Sequence, residues 1–368
     1  MEELLRRRVY VDQRAGEVTL EAYAVETWMP SLDVDAGTFT AYERYLRLHI
    51  LPKLGRKAIS QITASDVKRL RAGLDGSGQS KEAIMATMAT LMQAAMDDNL
   101  RNDNPCHARS VTRPKQLPPR AIKAWTPERV QAVIRALPNR FQRLGKMTAG
   151  CGHRPNEVIA VSPVDMDRER QELIVQRQLK WVRGHGWCFA LPKGRKVRRT
   201  PMPMSVENEL DAQMREYPTV KVTLPYYDRR DKPAERFRPM TVELIFSREA
   251  KGEIKFINPK RFNEWEWKRA LVDAGVIPAP AREKRGEYQA ARDDGPVALR
   301  HFFATAQIDA GESVVDVAAW MGHANPLVTF RRYVRGRVGA GDRGRAATDI
   351  LLAGVITAAK AVWNRKAV

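Results

Sequence analysis

The sequence predicts a mainly α-helical protein with a small antiparallel β-sheet. Apolar residues recur at helical spacing through most of the N-terminal part of the chain and again toward its C-terminus. Short strand-like segments separated by glycines lie between these regions, within residues 172–202. A chain of 368 residues can form two or three domains, each with an ample core.

Residues 18–104 predict a small helical domain that follows a short basic lead, residues 1–17. Two of its predicted helices cover residues 64–74, where Thr63 or Ser65 supplies the N-cap, and residues 80–99. In the second of these, apolar residues at helical spacing include several methionines: Ile84, Met88, Leu91, Met92 and Met96. We interpret this stripe as adaptable core, since methionine fills irregular gaps.

A basic, proline-rich linker is predicted at residues 105–122, with prolines at positions 105, 114, 118 and 119. Its cations, Arg113 and Lys115, would suit a strap lying along a DNA backbone. The linker leads into a larger domain, residues 123–345, and residues 346–368 predict an apolar C-terminal helix. A strap between two basic domains could close around a duplex.

Arg154 lies at or just before the start of an apolar helix, and Glu157 follows one turn later. An arginine gains nothing from the helix dipole at this end, so its position calls for another explanation. One interpretation is an anion site in which Glu157 holds the guanidinium in place. The other is a plain surface ion pair between the two side chains.

Three segments at residues 172–176, 186–191 and 197–202 predict the strands of the small sheet, and LPKGRKVRRTPMP would form its last hairpin. Five cations fall within seven positions of that hairpin: Lys193, Arg195, Lys196, Arg198 and Arg199. Most of them are expected to contact phosphates or to be simply solvated. A lysine at the turn has the reach and flexibility of a proton donor, which a rigid guanidinium lacks.

The segment PVALRHFFATAQIDAGESVVDVAAWMGHANPLVTFRRY, residues 296–333, predicts two helices and a short connection. Arg300 and His301 lie in the first helix, and His323 follows the glycine that ends the second. Tyr333 lies among several arginines, which favours a phosphate nearby and would stabilise a phenolate. Each residue alone has an ordinary structural explanation, but together they indicate a phosphate-handling site.

Composition narrows the class of partner. The chain has 63 Lys+Arg against 43 Asp+Glu, a formal charge of +20, which favours a polyanion such as nucleic acid or an acidic membrane surface. No apolar run is long enough to span a membrane, and the N-terminus has no signal-peptide core, so we expect a soluble intracellular protein. Cys106, Cys151 and Cys188 show neither disulfide nor zinc-site spacing.

The order L-R-H-x-x-A-T, then G-H, then a tyrosine about ten residues later resembles the C-terminal signature of the tyrosine recombinases, the phage integrase family. The resemblance implies a helical, SAM-like core-binding domain joined to an α+β catalytic domain. It also implies a catalytic set of Tyr333, Arg154, Arg300, Lys193 and His323, with Lys196 competing for the role of the lysine and with Glu157 and His301 in support. Further DNA contacts are expected from the linker and the basic hairpin, at Arg113, Lys115, Lys196, Arg198 and Arg199.

For function, the resemblance implies site-specific cleavage and rejoining of DNA through a 3′-phosphotyrosyl intermediate, for a phage or other mobile element. No metal or cofactor is expected, because side chains supply the cations. The implied partners are double-stranded DNA, a homo-tetramer on paired sites and accessory DNA-bending or directionality proteins, in the cytoplasm and nucleoid of a bacterial host. The C-terminal helix is expected to pack on its own domain or to dock on a neighbouring protomer.

The sequence departs from the family pattern at Val297, where a histidine is usual three residues before the second arginine. His301 lies four residues after position 297, so it would share roughly the same helix face as that position but lie about 6 Å further along the axis. Two alternatives stay open: a type IB topoisomerase, which shares the tyrosine chemistry, and a catalytically silent DNA-binding regulator, which Val297 motivates.

Overall fold

The computed structural model describes residues 15–111, 124–232, 235–281 and 288–334. These residues form two compact units. The first contains residues 15–111 together with Trp181–Cys188 and the described residues of 229–236, and the second contains the other described residues. Most of the predicted basic lead, most of the linker with Arg113 and Lys115, and the whole predicted C-terminal helix lie outside the described residues.

Residues 15–111, the larger part of the first unit, are helical. Its helices are α1 (Leu20–Ala22, π-helical Tyr23–Trp28, Met29–Ser31), α2 (Ala36–Tyr45, π-helical Leu46–Ile50, Leu51–Leu54), α3 (Ala64–Ala72) and α4 (Gly78–Asp97), with 3-10 turns at Ala15–Glu17, Ile59–Gln61 and Pro105–His107. Thr63 caps α3 through a capping box with Asp66, and Ser77 caps α4. The predicted methionine stripe of α4 is core, since Met88 and Met92 are fully buried.

The second unit mixes helices and strands. Its helices are α5 (Pro127–Ala136), α6 (Asn139–Cys151), α7 (Pro155–Val158), α8 (Met204–Glu216), α9 (Pro259–Phe262, π-helical Asn263–Trp267, Lys268–Asp273), α10 (Val297–Ala310), α11 (Val314–Trp320) and α12 (Pro326–Tyr333). The strands of the chain are β1 (Met166–Asp167), β2 (Glu172–Val175), β3 (Gln178–Val182), β4 (Gly186–Ala190), β5 (Arg198–Pro201), β6 (Val220–Tyr227), β7 (Phe237–Leu244), β8 (Ser247–Ala250) and β9 (Glu253–Phe256). Residues 181–182 of β3 and 186–188 of β4 are counted with the first unit, and the other strand residues with the second. The predicted fold class, mainly α with small sheets, is confirmed.

The predicted basic hairpin is wrong. Strand β5 pairs with β2 in a sheet of order β1-β2-β5, whereas β4 belongs to a second sheet of order β3-β4-β6-β7, in which β4 and β6 are parallel. Residues 191–197 therefore connect two sheets. A third sheet is the hairpin β8–β9.

The hairpin of β6 and β7 was not predicted, because each strand contains an internal proline. Pro225 and Pro239 face each other in the antiparallel register. Proline cannot donate a ladder hydrogen bond, so its presence argues against a strand when only the sequence is considered. No helix among the described residues has the length and hydropathy needed to cross a membrane.

Helices α10, α11 and α12 pack around a small apolar cluster that includes Ala304, Ile308, Val317 and Met321. Tyr333, the last residue of α12, belongs to the same cluster and is only 7% exposed. Helix α10 also packs against α6, which brings the two ends of the second unit's sequence together.

Candidate active site

All five predicted catalytic residues line one cleft of about 820 Å³. It is lined by side chains from the start of α7, the β4–β5 connection, α9, α10, the turn after α11, and α12. The predicted residues in its wall are Arg154, Lys193, Arg300, His301, His323 and Tyr333. Residues more than 170 positions apart in the chain thus face the same space.

The C-terminus of α11 presents backbone carbonyl groups that can accept hydrogen bonds from cations. Gly322 has a left-handed backbone, with φ of 63°, and the amides of Gly322 and His323 donate back to the carbonyls of Ala319 and Ala318. This is the Schellman arrangement, in which glycine ends a helix at little steric cost. The next carbonyls remain available at the negative end of the helix.

Those carbonyls accept hydrogen bonds from arginines of different elements. Arg198 Nε donates to Trp320 O at 2.7 Å, Arg300 Nη2 donates to Met321 O at 2.5 Å, and Arg154 Nη2 donates to Gly322 O at 3.3 Å. Consecutive backbone oxygens therefore position the guanidinium groups. Their partial negative charge offsets part of the repulsion among the cations.

Glu157 joins two of these arginines. Its carboxylate accepts from the backbone amide of Arg154 at 2.9 Å, from Arg154 Nη1 at 2.9 Å, and from both terminal nitrogens of Arg198 at 3.1 and 2.6 Å. Burial alone would raise the pKa of this carboxyl, but the hydrogen bonds and charges of Arg198 and Arg154 together outweigh it and lower the pKa to about 2. Glu157 is therefore ionised at neutral pH and fixes both guanidinium groups.

Arg300 is 3% exposed and is anchored on its protein side. Its Nη1 donates to the carbonyl of Gly152 at 2.8 Å, while Nη2 lies 3.3 Å from Nε2 of His323. Burial, followed by the charge of Arg154, lowers the pKa of the guanidinium to about 9, so it keeps its proton at pH 7. A buried cation held in this way is poised for an anionic ligand.

Two features of the backbone at position 152 require glycine. It ends α6 in the left-handed region, with φ of 67°, and a Cβ at this position would lie 2.2 Å from Cδ1 of Phe303. The close approach of the α6 end to α10 is what brings the Gly152 carbonyl to Arg300.

His323 is fixed through both ring nitrogens. Nδ1 lies 2.6 Å from the hydroxyl of Thr329, a fully buried residue of α12, and Nε2 faces Arg300. Burial, with Arg300 and Arg154 next in effect, lowers the pKa of the ring to about 3. His323 is therefore neutral at pH 7 in the protein without an anion in the cleft.

Tyr333 lies beside His301, with its hydroxyl oxygen 2.5 Å from Nδ1. Burial raises the pKa of the phenol, and the charges of Arg300 and Arg332 oppose this in part. Burial also lowers the pKa of His301 to about 4, and Arg300 and Arg332 lower it further. At pH 7 the pair is a neutral phenol against a neutral imidazole.

The predicted basic residues near β5 differ in their exposure, in their ion pairs and in whether they line the cleft. Lys193 is exposed and lines the cleft, whereas Lys196 is exposed but does not line it. Arg199 pairs with Asp167 and Glu172 on the neighbouring strands. The prediction that Arg198 contacts DNA needs correction: its guanidinium is largely buried against Glu157 and Trp320, because β5 turns this side chain toward the end of α11.

Other residues of the site were missed in the sequence. Thr329 orients His323, and Arg332 lines the cleft next to Tyr333; the cluster of arginines around Tyr333 was the only signal for the second. His153 lies buried behind Arg154, with Nε2 2.7 Å from Thr200 Oγ1. Burial lowers the pKa of His153 to about 3, with the charge of Arg198 next in effect.

The arrangement can bind a tetrahedral anion between two anchored guanidinium groups and present a phenol to it. In the part of the chain that the structure describes, no group of His, Cys, Asp and Glu side chains could hold a metal ion.

Comparisons with known proteins agree with this geometry. A family model described as the phage integrase N-terminal SAM-like domain matches residues 22–74. A tyrosine recombinase XerC-like protein of Caldanaerobacter subterraneus subsp. tengcongensis is 25% identical over 314 residues, which cover 81% of this chain and 73% of the relative.

Solved structures share the fold. The integrase of the Tn1549 transposon, in complex with a circular intermediate DNA, matches with a TM-score of 0.65 and 18% identity over 90% of this chain and 99% of its own. The lambda integrase tetramer bound to a Holliday junction matches with a TM-score of 0.62 and 15% identity over 91% and 82%. The resemblance predicted from the C-terminal motifs is confirmed: the chain is similar in sequence to a tyrosine recombinase XerC-like protein and shares its fold with DNA-bound integrases.

Proposed function

We propose that the protein is a site-specific DNA recombinase that cleaves and rejoins strands through a 3′-phosphotyrosyl intermediate. It would serve the integration or excision of a phage or other mobile element. In this proposal residues 18–104 form the core-binding domain and residues 123–345 the catalytic domain. The XerC-like relative and the DNA-bound integrases of similar fold support the reaction class.

The observation that carries the proposal is the convergence of Arg154, Arg300, His323 and Tyr333 on one cleft. A phosphodiester resists attack because it is anionic and because its alkoxide is a poor leaving group. Two guanidinium groups fixed by Glu157 and by backbone carbonyls would hold the non-bridging oxygens and neutralise the charge that grows in the transition state. Because the protein holds them in place beforehand, little reorganisation is needed during the reaction.

Tyr333 would attack phosphorus and form the covalent intermediate, which conserves the energy of the bond for rejoining. Lys193 would give a proton to the departing 5′ oxygen, because it is exposed at the cleft and carries a flexible stem. His323 would take up a proton once the phosphate enters and then donate a hydrogen bond to it. The reaction so described needs no metal or cofactor.

DNA binding would draw on the charge of +20 and on exposed cations such as Lys196 outside the cleft. Arg113 and Lys115 would add backbone contacts from the linker. A homo-tetramer would hold two duplexes, in analogy with the lambda integrase tetramer on a Holliday junction, with accessory DNA-bending proteins setting the direction. The site of action would be the bacterial nucleoid.

The test is to trap the covalent intermediate. A pool of duplexes with randomised sequence is enriched by binding to the protein, nicked variants of the enriched sequence are incubated with it, and the denatured products are separated. We expect a protein–DNA adduct whose modified peptide contains Tyr333, and we expect Tyr333→Phe to bind the same DNA without forming it. An adduct at another side chain would overturn the proposal.

Val297 favours one alternative, a DNA-binding regulator without catalysis. It is 42% exposed and lines the cleft where the family pattern has a histidine. Sequence-selective binding with no adduct at any protein concentration would favour this alternative. Relaxation of supercoiled plasmid without exchange between duplexes would instead favour a topoisomerase.

A further inference from the structure

In the family pattern, the histidine three residues before the second arginine is a candidate to accept the proton of the attacking tyrosine. This chain has Val297 at that position, and valine cannot take up a proton. General base catalysis contributes roughly 10²–10⁴-fold to rates of this kind. A candidate must lie within hydrogen-bonding distance of the hydroxyl that it deprotonates. The search can therefore be limited to groups that touch Tyr333.

His301 meets this condition, with Nδ1 2.5 Å from the Tyr333 hydroxyl. It is carried by the first turns of α10, directly after Arg300, so the same helix that fixes the anion-binding cation also fixes the imidazole. The two rings lie with centroids 5.8 Å apart and an interplanar angle of 46°. The imidazole at position 301 therefore contacts the nucleophile directly.

We propose that His301 is a catalytic residue that accepts the proton of Tyr333 during strand cleavage and returns it during rejoining. The proposal rests on the proposed recombinase function. In the cleavage step the O–H bond of Tyr333 breaks and its proton moves to Nδ1 of His301. The oxygen's electron pair forms the new bond to phosphorus, the bond to the 5′ oxygen breaks, and that oxygen takes a proton from Lys193.

The charge environment makes this transfer depend on bound DNA. His301 is influenced by Arg300 on its own helix, Arg332 on α12 and Asp293 in the turn before α10, while His323 and Tyr333 are its other titratable neighbours. Burial and the two arginines lower the pKa of the imidazole to about 4. A phosphate in the cleft would neutralise those arginines and raise the pKa, so His301 would become a better base when the substrate is present.

A substitution at His301 separates this role from simple packing. Asparagine places an amide near the position of Nδ1 and keeps a hydrogen bond to Tyr333, but it cannot take up a proton. We expect His301→Asn to slow adduct formation about 10²-fold or more while the affinity for the enriched duplex changes little. His185→Asn, at an exposed turn outside the cleft, is the matched control and should cleave at the wild-type rate.

The chemistry of the leaving group separates the two proton transfers, the one from Tyr333 to His301 and the one from Lys193 to the 5′ oxygen. A 5′-bridging phosphorothiolate at the mapped cleavage position has a sulfur leaving group that needs no proton. On this substrate the cleavage rate of Lys193→Ala should therefore return to that of the wild type, whereas His301→Asn should still cleave slowly. With this substrate the wild-type rate should fall as the pH drops through the pKa of His301 in the complex, and His301→Asn should lack this dependence.

A second variant shows whether the loss of rate in His301→Asn comes from the missing base or from misfolding. Adding Val297→His to His301→Asn places a new imidazole on the same helix face and should recover at least tenfold of the lost rate. Wild-type rates for His301→Asn on both substrates would overturn the proposal, as would rescue of this variant by sulfur. Absence of any wild-type adduct would instead defeat the proposed function, so the two failures are distinguishable.

Discussion

Glu157 of α7 and Arg198 of β5 form a two-point ion pair inside the cleft wall, although the two residues are 41 positions apart in the sequence. Glu157 is 1% exposed, and its other partner is Arg154. Arg198 therefore acts on the site through Glu157 and through the carbonyl of Trp320.

Replacement of Arg198 by alanine should destabilise the second unit. The change leaves a buried carboxylate with one cationic partner instead of two, and loss of one member of a buried pair costs about 3–5 kcal/mol. We expect Arg198→Ala to lower the free energy of unfolding within or slightly below that range in urea titrations. Arg198→Lys, which keeps the charge without the fork, should recover only part of it, and equal stability of the lysine variant would contradict the two-point role.

Stability should fall as the pH drops below about 6.5, partly because of His153. The unfolded chain protonates this histidine near its usual pKa of 6.5, whereas the buried ring resists protonation down to about 3. The unfolded state thus binds the extra proton, and at pH 5 the difference amounts to about 2 kcal/mol. His153→Asn should reduce the loss of stability between pH 7 and pH 5 by about this amount in urea titrations, while an unchanged pH slope would argue against a neutral buried ring.

Gly152 should tolerate no side chain. Alanine would need a left-handed backbone, at about 1–3 kcal/mol, and would press on Phe303, at a further ~1–3 kcal/mol. Gly311 is the matched control, since its φ is 105° but nothing lies within 4 Å of the position of a Cβ. We expect Gly311→Ala to show only the backbone cost in thermal or urea unfolding and Gly152→Ala to show both. Equal losses would mean that Phe303 moves aside freely.

Lys196 and Arg199 should differ in their contribution to DNA affinity, although both are exposed. Arg199 is paired with Asp167 and Glu172, so a phosphate would have to compete with two carboxylates. We expect Lys196→Ala to weaken binding of any duplex and to reduce the slope of log affinity against log salt by about 1, and Arg199→Ala to change both less. Fluorescence titrations over a range of salt concentrations would measure this, and the reverse order would contradict it.

Local patterns were predictable from the sequence, whereas long-range partners were not. The cap at Thr63 and the stop at Gly322 follow from the immediate neighbours of each residue. The turn of Arg198 toward Glu157 depends on the pairing of β5 with β2, which strand propensity cannot specify. Likewise, the contact of His301 with Tyr333 arises from the packing of α10 on α12, and helical periodicity within α10 gives no information about it.

The way in which arginines hold the last turn of α11 imposes a length requirement on that helix. An insertion or deletion of one residue between Ser313 and Trp320 would rotate the terminal carbonyls by about 100° and offer each guanidinium the wrong oxygen. Substitutions on its outer surface, as at Val315, which is 60% exposed, leave that alignment untouched. Across related proteins, α11 should therefore vary freely in outward side chains while its residue count stays constant.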